Sequence, residues 1–371
     1  MKKKPYTFRK LINDIHLWLG LISGIILFLV CLSGTILTFE HEIKDFFSDN
    51  IVVEPVGQKE TITSLIETLE AKNVGYVTGL KIPDSEQAPY EFTVKKDEKQ
   101  RRGTTVLVNP YTSKVKSVSE TGADAFLLTM FKLHRWLLLD MKIGRPIVGI
   151  ATIIFLLLSI SGIILWFPKK MKWKNFKQGF KIKTKANWKR INHDLHNTLG
   201  FYASIIILIM GITGLCWSFE GYREGLGNLI GVKIFDRSNP ELSIEKDNQN
   251  NIISIDEAVA LANEKLDYEG ELMVSLPNKK DNYFSFRKYN KSNWSPVTSD
   301  RLYLSTSGVV LAVDYFADKP FNEKVASLIR PIHTGEVYGL TSKIIYFLAC
   351  LIATSLPITG TIIWINKLKC K

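Results

Sequence analysis

Six histidines occur in the 371 residues, and each lies at or near the end of an apolar stretch. His16 and His196 stand at the beginning of two such stretches, and His134 and His333 lie shortly before two others. Neutral imidazole is a good ligand for haem iron, and two imidazoles give a six-coordinate centre suited to one-electron transfer. These residue types therefore indicate haem ligation, provided that helices bring the histidines together in pairs.

Two further histidines leave the ligand set open. His193 lies three residues before His196 and so shares its helix face, which makes it an alternative ligand or a partner for a haem propionate. His41 follows Glu40 and is a second alternative. Another interpretation is that all these histidines are interfacial anchors that hydrogen-bond to headgroups. No carboxylate cluster with a zinc or di-iron spacing accompanies them.

The elements that must position these side chains are four uncharged apolar stretches, at residues 17–39, 146–168, 199–219 and 344–365. About 20 apolar residues are enough for a helix to cross a hydrocarbon layer of ~30 Å. The four stretches exclude a soluble globular enzyme. High apolar content and only four cysteines also exclude a disordered chain and a disulfide-stapled secreted domain.

The net charge of +12 is distributed unevenly along the chain. Residues 1–13, 169–190 and 367–371 hold eighteen Lys and Arg and no acidic residue, whereas residues 42–133 and 221–332 each carry a net charge of −2. Basic short loops stay in the cytoplasm. We therefore predict cytoplasmic termini, a cytoplasmic middle loop and two exported segments. The anionic inner leaflet accounts for the basic bias, so we predict no nucleic-acid partner.

The chain contains two copies of one unit. The motif H-x-x-L-G begins at His16 and again at His196, 180 residues later. The motif S/T-G-x-I-x-W begins at Ser161 and again at Thr359, 198 residues later, and the other two repeat-matched histidines are 199 residues apart. Membrane proteins often build one bundle from such parallel repeats, with sites between the halves. The fold class predicted is an α-helical integral membrane protein, a four-helix transmembrane bundle made of two repeats.

The repeat predicts which histidines pair. His16 and His196 occupy equivalent places at the inner face, and His134 and His333 occupy equivalent places at the outer face. We therefore expect two stacked haems, each held by one pair of imidazoles from facing helices. The chain has no C-x-x-C-H motif, so the haems would be of the non-covalent b type.

Each exported segment is predicted to be a small α+β module. The capping-box pattern S-x-x-E occurs at Ser254 and at Ser64, and each predicts the start of a helix. Strands are predicted near residues 105–108 and 302–304, each followed by turn residues. Residues 281–299 are polar and rich in Asn, which predicts a long hairpin loop.

Together these signals divide the chain into seven parts. The first four are an N-terminal tail with the first span (1–41), an exported α+β segment (42–133), an outer-face histidine segment with the second span (134–168) and a basic cytoplasmic loop (169–190). The last three are the third span (191–220), a second exported α+β segment (221–332), and an outer-face histidine segment with the last span and the tail (333–371).

Several short motifs together resemble the PepSY-associated transmembrane helix family, also called iron-regulated membrane proteins. They are H-L-W-L-G from His16, L-H-R-W-L around His134, I-H-T-G-E around His333, and the S/T-G ends of the second and fourth spans. The resemblance covers nearly the whole chain and implies a bacterial inner-membrane protein with PepSY-like exported segments. It also implies haem b and reduction of ferric siderophores in the periplasm, as in some members.

The function predicted is a di-haem electron-transfer protein that reduces a ferric siderophore or another ferric chelate. The chain has neither G-x-G-x-x-G nor a P-loop, so a cytoplasmic reductant or quinol would supply the electrons. Two alternatives remain open at this point. One is a non-enzymatic PepSY-type protein that binds a peptide or another protein, and the other is a metal-chelate permease.

Other boundary residues have two interpretations each. Glu40 and Glu220 are repeat-matched and would either relay protons or mark solvated helix ends. The tryptophans near the span ends fit an aromatic belt. Six basic residues would either pair with haem propionates or mark helix ends, and these are Arg9, Lys10, Arg135, Lys142, Arg145 and Arg190.

Overall fold

A computed structural model describes residues 6–47, 53–97, 100, 103–117, 121–236, 242, 252–279 and 281–369. The chain divides into two compact units. The first, the helical unit, comprises Met1–Phe46, Gly122–Phe235 and Val325–Lys371. The second, the sheet unit, comprises Phe47–Thr121 and Asp236–Lys324.

The helices and strands are numbered here along the chain. The helices are α1 (Phe8–Leu37), α2 (Glu40–Phe47), α3 (Ile62–Ala71), α4 (Gly122–Trp136), α5 (Met141–Trp166), α6 (Trp173–Gly179), α7 (Trp188–Asp194), α8 (Gly200–Ser218), α9 (Glu220–Ile230), α10 (Ile255–Lys265), α11 (Phe321–Thr334) and α12 (Gly339–Leu368). The strands are β1 (Tyr76–Ile82), β2 (Tyr90–Lys95), β3 (Thr104–Val108), β4 (Val115–Ser117), β5 (Leu272–Ser275), β6 (Tyr283–Tyr289), β7 (Ser299–Ser305) and β8 (Val310–Asp314).

Four helical stretches are long and apolar enough to cross a membrane, which confirms the four predicted spans. They are Phe8–Leu37, Met141–Trp166, Trp188–Ser218 and Gly339–Leu368. Each begins several residues before its predicted apolar core, because capping groups extend the helix into polar sequence. Asp140, for example, accepts a hydrogen bond from the backbone of Lys142 and so caps α5.

The spans pack through small side chains. α1 lies against α5 and α12, and α8 lies against the same two helices. Cys31, Ala203, Ala349 and Ala353 are buried together between them. Small residues at these positions allow close backbone approach, which is the usual basis of helix packing in a bilayer. The histidine-bearing helix α4 packs on α1 and α5.

The sheet unit contains one eight-stranded sheet rather than two separate modules. Its strand order is β4-β3-β2-β1-β5-β6-β7-β8, and all the pairs are antiparallel. The central pair joins the two predicted exported segments, with Leu80 opposite Val274 and Gly79 opposite Ser275. A Cβ atom on Gly79 would lie 2.6 Å from the carbonyl oxygen of Val274, so glycine permits this pairing. Four strands from each segment therefore share one core beneath α3 and α10.

Local predictions in this unit had mixed outcomes. The capping box at Ser254 is confirmed and starts α10. The predicted box at Ser64 is wrong, because Thr61 caps α3 and accepts a hydrogen bond from the backbone of Ser64. The predicted loop over residues 281–299 is wrong in its first part. β6 lies there because Phe284 and Phe286 are apolar enough to enter the core.

Candidate functional site

His16 and His196 face each other inside the helical unit and form what is called here the first pair. His16 lies on α1, and His196 lies in a π-helical turn, Leu195–Leu199, that joins α7 to α8. The centroids of their rings are 6.2 Å apart and the ring planes are perpendicular. A π turn inserts an extra residue into a helix and is frequent at functional sites.

His134 and His333 form a second pair with nearly the same spacing. His134 lies near the end of α4 and His333 near the end of α11. Their ring centroids are 6.3 Å apart and the ring planes make an angle of 60°. The structure thus brings together the four predicted ligands in the two predicted combinations.

In the first pair, hydrogen bonds fix which ring nitrogen carries the hydrogen. Nδ1 of His16 lies 2.8 Å from Oγ of Ser161, and Nδ1 of His196 lies 2.9 Å from Oγ1 of Thr359. Each hydroxyl donates its one hydrogen to the carbonyl four residues earlier in its own helix. A hydroxyl so engaged can only accept from the ring, so Nδ1 is protonated and Nε2 keeps its lone pair.

The second pair reaches the same state through the backbone. Nδ1 of His134 lies 2.9 Å from the carbonyl oxygen of Val30, and Nδ1 of His333 lies 3.0 Å from that of Met210. Carbonyl oxygens only accept, so both Nδ1 atoms donate. Thr213 adds a hydroxyl 3.0 Å from Nδ1 of His333. All four histidines therefore offer Nε2 as a free ligand atom.

A Ser/Thr-Gly dipeptide faces each of the four rings. A Cβ atom on each of these glycines would lie between 3.0 and 3.5 Å from Cε1 of the facing histidine. At Gly34, Gly214 and Gly360 the distance is tight, so glycine makes room for the imidazole there, whereas at Gly162 it is an ordinary contact. The four dipeptides are Ser33-Gly34 at His134, Ser161-Gly162 at His16, Thr213-Gly214 at His333 and Thr359-Gly360 at His196.

The two pairs lie at different depths along the spans. On α1, His16 is fourteen residues from Val30, whose carbonyl oxygen accepts from His134. His196 is likewise fourteen residues from Met210, which accepts from His333. With a rise of 1.5 Å per residue, the pairs are separated by about 20 Å along the helix axes. That distance is most of the ~30 Å thickness of a hydrocarbon core.

With this geometry in view, comparison with known proteins identifies the relationship. Residues 14–367 match the family described as PepSY-associated TM region. The chain belongs to this family. A comparison with curated proteins found no match. In this PepSY-associated TM protein the matched region includes all four paired histidines and both long segments between the spans.

The first pair of this PepSY-associated TM protein opens into a cavity of about 890 Å³. His16, His196 and Phe201 line it, together with two of the facing glycines. Four basic residues also line it, and no Asp or Glu is among the lining residues, all of which lie in the described part of the chain. The basic residues are Arg9, Lys10, Lys169 and Lys367. Arg9 also donates to the carbonyl oxygen of Phe167 at 2.9 Å and so caps the end of α5.

The alternative ligands are placed less favourably. The side chain of His193 is 54% exposed, with Nδ1 3.6 Å from an Asp194 oxygen, although the residue lines the cavity. His41 is exposed on α2. His193 and His196 line the same cavity, but only His196 has its ring opposite that of His16.

The repeat-matched acids Glu40 and Glu220 lie at the starts of α2 and α9. Glu40 pairs with Lys44 at 2.6 Å, and Glu220 pairs with Arg223 at 2.7 Å. Carboxylates in the first turn of a helix interact favourably with its dipole. These contacts agree with the interpretation as helix ends, and the proton-relay role stays untested.

Sequence reasoning missed two tryptophan roles. Trp166 is not at an exposed membrane boundary but buried, with its ring stacked on Phe201 at a centroid distance of 3.7 Å. Trp217 lies with its ring 5.1 Å from that of His333. It also missed that the four Ser/Thr-Gly dipeptides contact the imidazole rings. The recurrence of this dipeptide, once in each span, was a signal in the sequence.

The residues present fit a bis-imidazole haem. Two imidazole nitrogens each about 2 Å from a shared metal put the ring centroids about 6 Å apart, as in both pairs. Free Nε2 atoms, facing glycines and a cavity at the first pair meet the other needs. Among the described residues no group of three or more His, Cys, Asp or Glu could hold a metal ion. A porphyrin supplies four ligand atoms itself, so two histidines complete the set.

Proposed function

We propose that this protein is a di-haem b electron-transfer protein of the bacterial inner membrane. It would reduce a ferric siderophore or another ferric chelate in the periplasm, with electrons from a cytoplasmic reductant or from quinol. The observation that supports this most is the pair of histidine pairs, each with its rings about 6 Å apart and each with Nε2 free. A haem, when bound, supplies reversible one-electron chemistry.

The protein's own groups would hold and tune the two irons. His16 and His196 would ligate one, and His134 and His333 the other. The Nδ1–H bonds to Ser161, Thr359, Val30 and Met210 orient the rings and raise their basicity as ligands. Such partners are the usual means by which a protein fixes the tautomer of a metal-binding imidazole.

The spacing of the two pairs suits transfer across a membrane. One centre at each pair would divide the hydrocarbon thickness into shorter steps, because the pairs are about 20 Å apart along the spans. The charge distribution orients the chain with the first pair inside, since the basic termini and middle loop prefer the cytoplasm. The basic residues of the cavity would bind the acidic groups of a porphyrin or attract an acidic donor.

The test uses the full-length protein, purified in detergent after expression with ample porphyrin. We expect two haems per chain by pyridine haemochrome, a reduced-minus-oxidised spectrum of low-spin b type, and reoxidation by some members of a panel of ferric chelates. A colourless preparation would refute the proposal. A coloured protein that ferric chelates reoxidise no faster than a His333→Ala variant would refute the reductase activity alone.

A binding role without redox chemistry has one observation in its favour. The eight-stranded sheet ends in β4 and β8 as described, and an extended peptide can add to a sheet edge. This role predicts that the function in cells survives replacement of His16 and His134 by Ala. Loss of function in those variants, with normal protein levels, would exclude it.

A further inference from the structure

Two arginines meet where α4 turns into α5. The turn is tight, with Leu137 and Leu138 in the left-handed region at φ 56° and 60°. Beyond it Gly144 packs directly on the end of α4, since a Cβ there would lie 2.0 Å from the carbonyl oxygen of Trp136. Arg135 precedes Trp136 and Arg145 follows Gly144, so this contact brings the backbones of the two arginines close together.

These two positive charges have no counter-charge in the part of the chain that the structure describes. Nε of Arg145 is buried and lacks a hydrogen-bond partner. Arg135 contacts the ring of Phe131 at 5.4 Å, and no described carboxylate bonds either guanidinium. Both residues are half-buried, and charges removed from water are normally paired, so the chain as described supplies no partner for the buried Nε of Arg145.

In the second half of the chain, the corresponding cation is paired with a carboxylate of the chain itself. Lys343 lies 198 residues after Arg145, the offset that relates α5 to α12, and it is also buried. Its Nζ bonds both oxygens of Glu42, at 2.6 and 2.7 Å. The counterpart of Arg135 there is the neutral Thr334. The second half therefore has one buried cation that is paired with a carboxylate. The first half has two cations, and no described carboxylate is paired with either.

We infer that Arg135 and Arg145 form a binding site for paired acidic oxygens, and that these are the carboxylates of the porphyrin held by His134 and His333. Arg135 follows His134 directly in the chain, so the two arginines lie beside the second pair. Two guanidiniums side by side match two carboxylates on one edge of a planar ligand. This inference rests on the proposed haem function.

The closing experiment isolates the second pair. The His196→Ala variant, which keeps His134 and His333, is prepared without porphyrin and titrated with iron mesoporphyrin IX or with its dimethyl ester, in which both carboxylates are neutral. The Soret band gives a dissociation constant for each. We expect the diacid to bind about tenfold or more tighter than the ester, because charge-assisted hydrogen bonds are lost in the ester.

Arginine variants made in the His196→Ala background test which residues cause the preference for the diacid over the ester. Arg145→Gln should bring the ratio of the two constants close to one, and Arg145→Lys should give an intermediate ratio because it keeps the charge and loses the fork geometry. Lys132→Gln is the matched control, since Lys132 is exposed on α4, and it should leave the ratio unchanged. An unchanged ratio in Arg145→Gln would overturn the inference while leaving the haem proposal standing.

A lipid phosphate is the other source of acidic oxygens at this position. Thermal unfolding in nanodiscs of phosphatidylcholine, with and without phosphatidylglycerol, tests it in the same variants. Stabilisation by phosphatidylglycerol that Arg145→Gln abolishes, together with an unchanged diacid-to-ester ratio, would overturn the assignment to porphyrin carboxylates. If neither porphyrin gives the Soret band of a bound haem, with the His196→Ala variant or with the wild-type protein, the haem proposal fails. This inference then fails with it.

Discussion

The two histidine pairs share a spacing but differ in what holds the rings. In the first pair each Nδ1 has a side-chain hydroxyl, from Ser161 or Thr359, as its hydrogen-bond partner. In the second pair each Nδ1 has a backbone carbonyl, with a hydroxyl in addition, from Ser33 at 3.5 Å and from Thr213 at 3.0 Å. The first pair lies on the long spans, whereas the second lies on α4 and α11 outside them.

The two pairs therefore have the same ring spacing but different nearest hydrogen-bond partners at Nδ1. A carbonyl cannot be removed by a side-chain substitution, so the second pair should resist loss of its hydroxyl. In the first pair the hydroxyl is the nearest acceptor of each Nδ1–H, so its loss should weaken that pair more. Conversely, the facing glycines of the second pair are closer, because a Cβ on Gly34 or Gly214 would lie 3.0 Å from the ring. The predictions below use these contrasts.

The largest effect should come from removing one ligand of each pair. His196→Ala should lose the haem of the first pair and keep that of the second, and His333→Ala should do the reverse, so each falls from about two haems per chain to about one. Pyridine haemochrome and low-temperature spectra measure this. His193→Ala is the matched control and should keep both haems. Equal retention in His196→Ala and His333→Ala would contradict the pairing.

The facing glycines should rank by their distances from the rings. Gly214→Ala places a methyl 3.0 Å from His333, so the ring must shift at a cost of about 1–3 kcal/mol and most haem at the second pair should be lost. Gly162→Ala meets His16 at 3.5 Å, an ordinary contact, and should keep its haem. Spectra of both variants decide this. Greater loss in Gly162→Ala would show that ring packing does not control binding.

Hydroxyl removal should act more strongly at the first pair. Thr359→Val keeps the side-chain shape but removes the nearest acceptor of Nδ1–H of His196, so haem affinity there should fall about 10-fold or more. Thr213→Val leaves the carbonyl of Met210 in place and should cost about threefold or less. Titration of the porphyrin-free variants gives both constants. Equal losses would refute the contrast between hydroxyl and carbonyl support.

The smallest predicted effect compares the buried Lys343 with the half-buried Arg145. Glu42→Gln leaves Lys343 buried without its carboxylate and should lower the free energy of unfolding by about 1–3 kcal/mol, the range between exposed and buried pairs. Arg145→Gln removes a repulsion from the porphyrin-free protein and should not destabilise it. Thermal unfolding in detergent measures both, and a larger loss in Arg145→Gln would contradict the missing counter-charge.

The pH dependence of the Glu42 effect has a defined sign. Burial raises the pKa of Glu42, but hydrogen bonds and charge from Lys343 outweigh it, and the net pKa is lowered from 4.5. A lowered folded pKa contributes stability above the unfolded value that is lost as the pH falls through the folded one. The difference between wild type and Glu42→Gln should therefore be constant near neutral pH and shrink below about pH 4.

The sequence was sufficient for the spans and for the histidine pairing, because both rest on strong signals. About 20 consecutive apolar residues predict a span directly, and equal offsets match His16 with His196 without any structure. The cap of α3 was missed because Thr61 and Ser64 are equally good capping residues. The π turn at His196 was missed because α-helical periodicity gives no warning of one inserted residue.

The remaining misses concern contacts between residues far apart in the chain. The pairing of β1 with β5 depends on complementary edges in two segments, and neither edge is marked in its own sequence. The ion pair of Lys343 with Glu42 spans 301 residues and was equally hidden. Local patterns do not carry such information, since the two partners satisfy each other only after the chain has folded.

The β1–β5 pairing has a consequence for biogenesis. Ile82 pairs with Leu272, so during synthesis β1 exists for 190 residues of translation before its partner strand β5 begins. In that interval β1 is an open edge that other chains can join. Nascent protein should thus need protection by a chaperone until the later strands have been made. A chain truncated before β5 should accumulate as aggregates or be degraded.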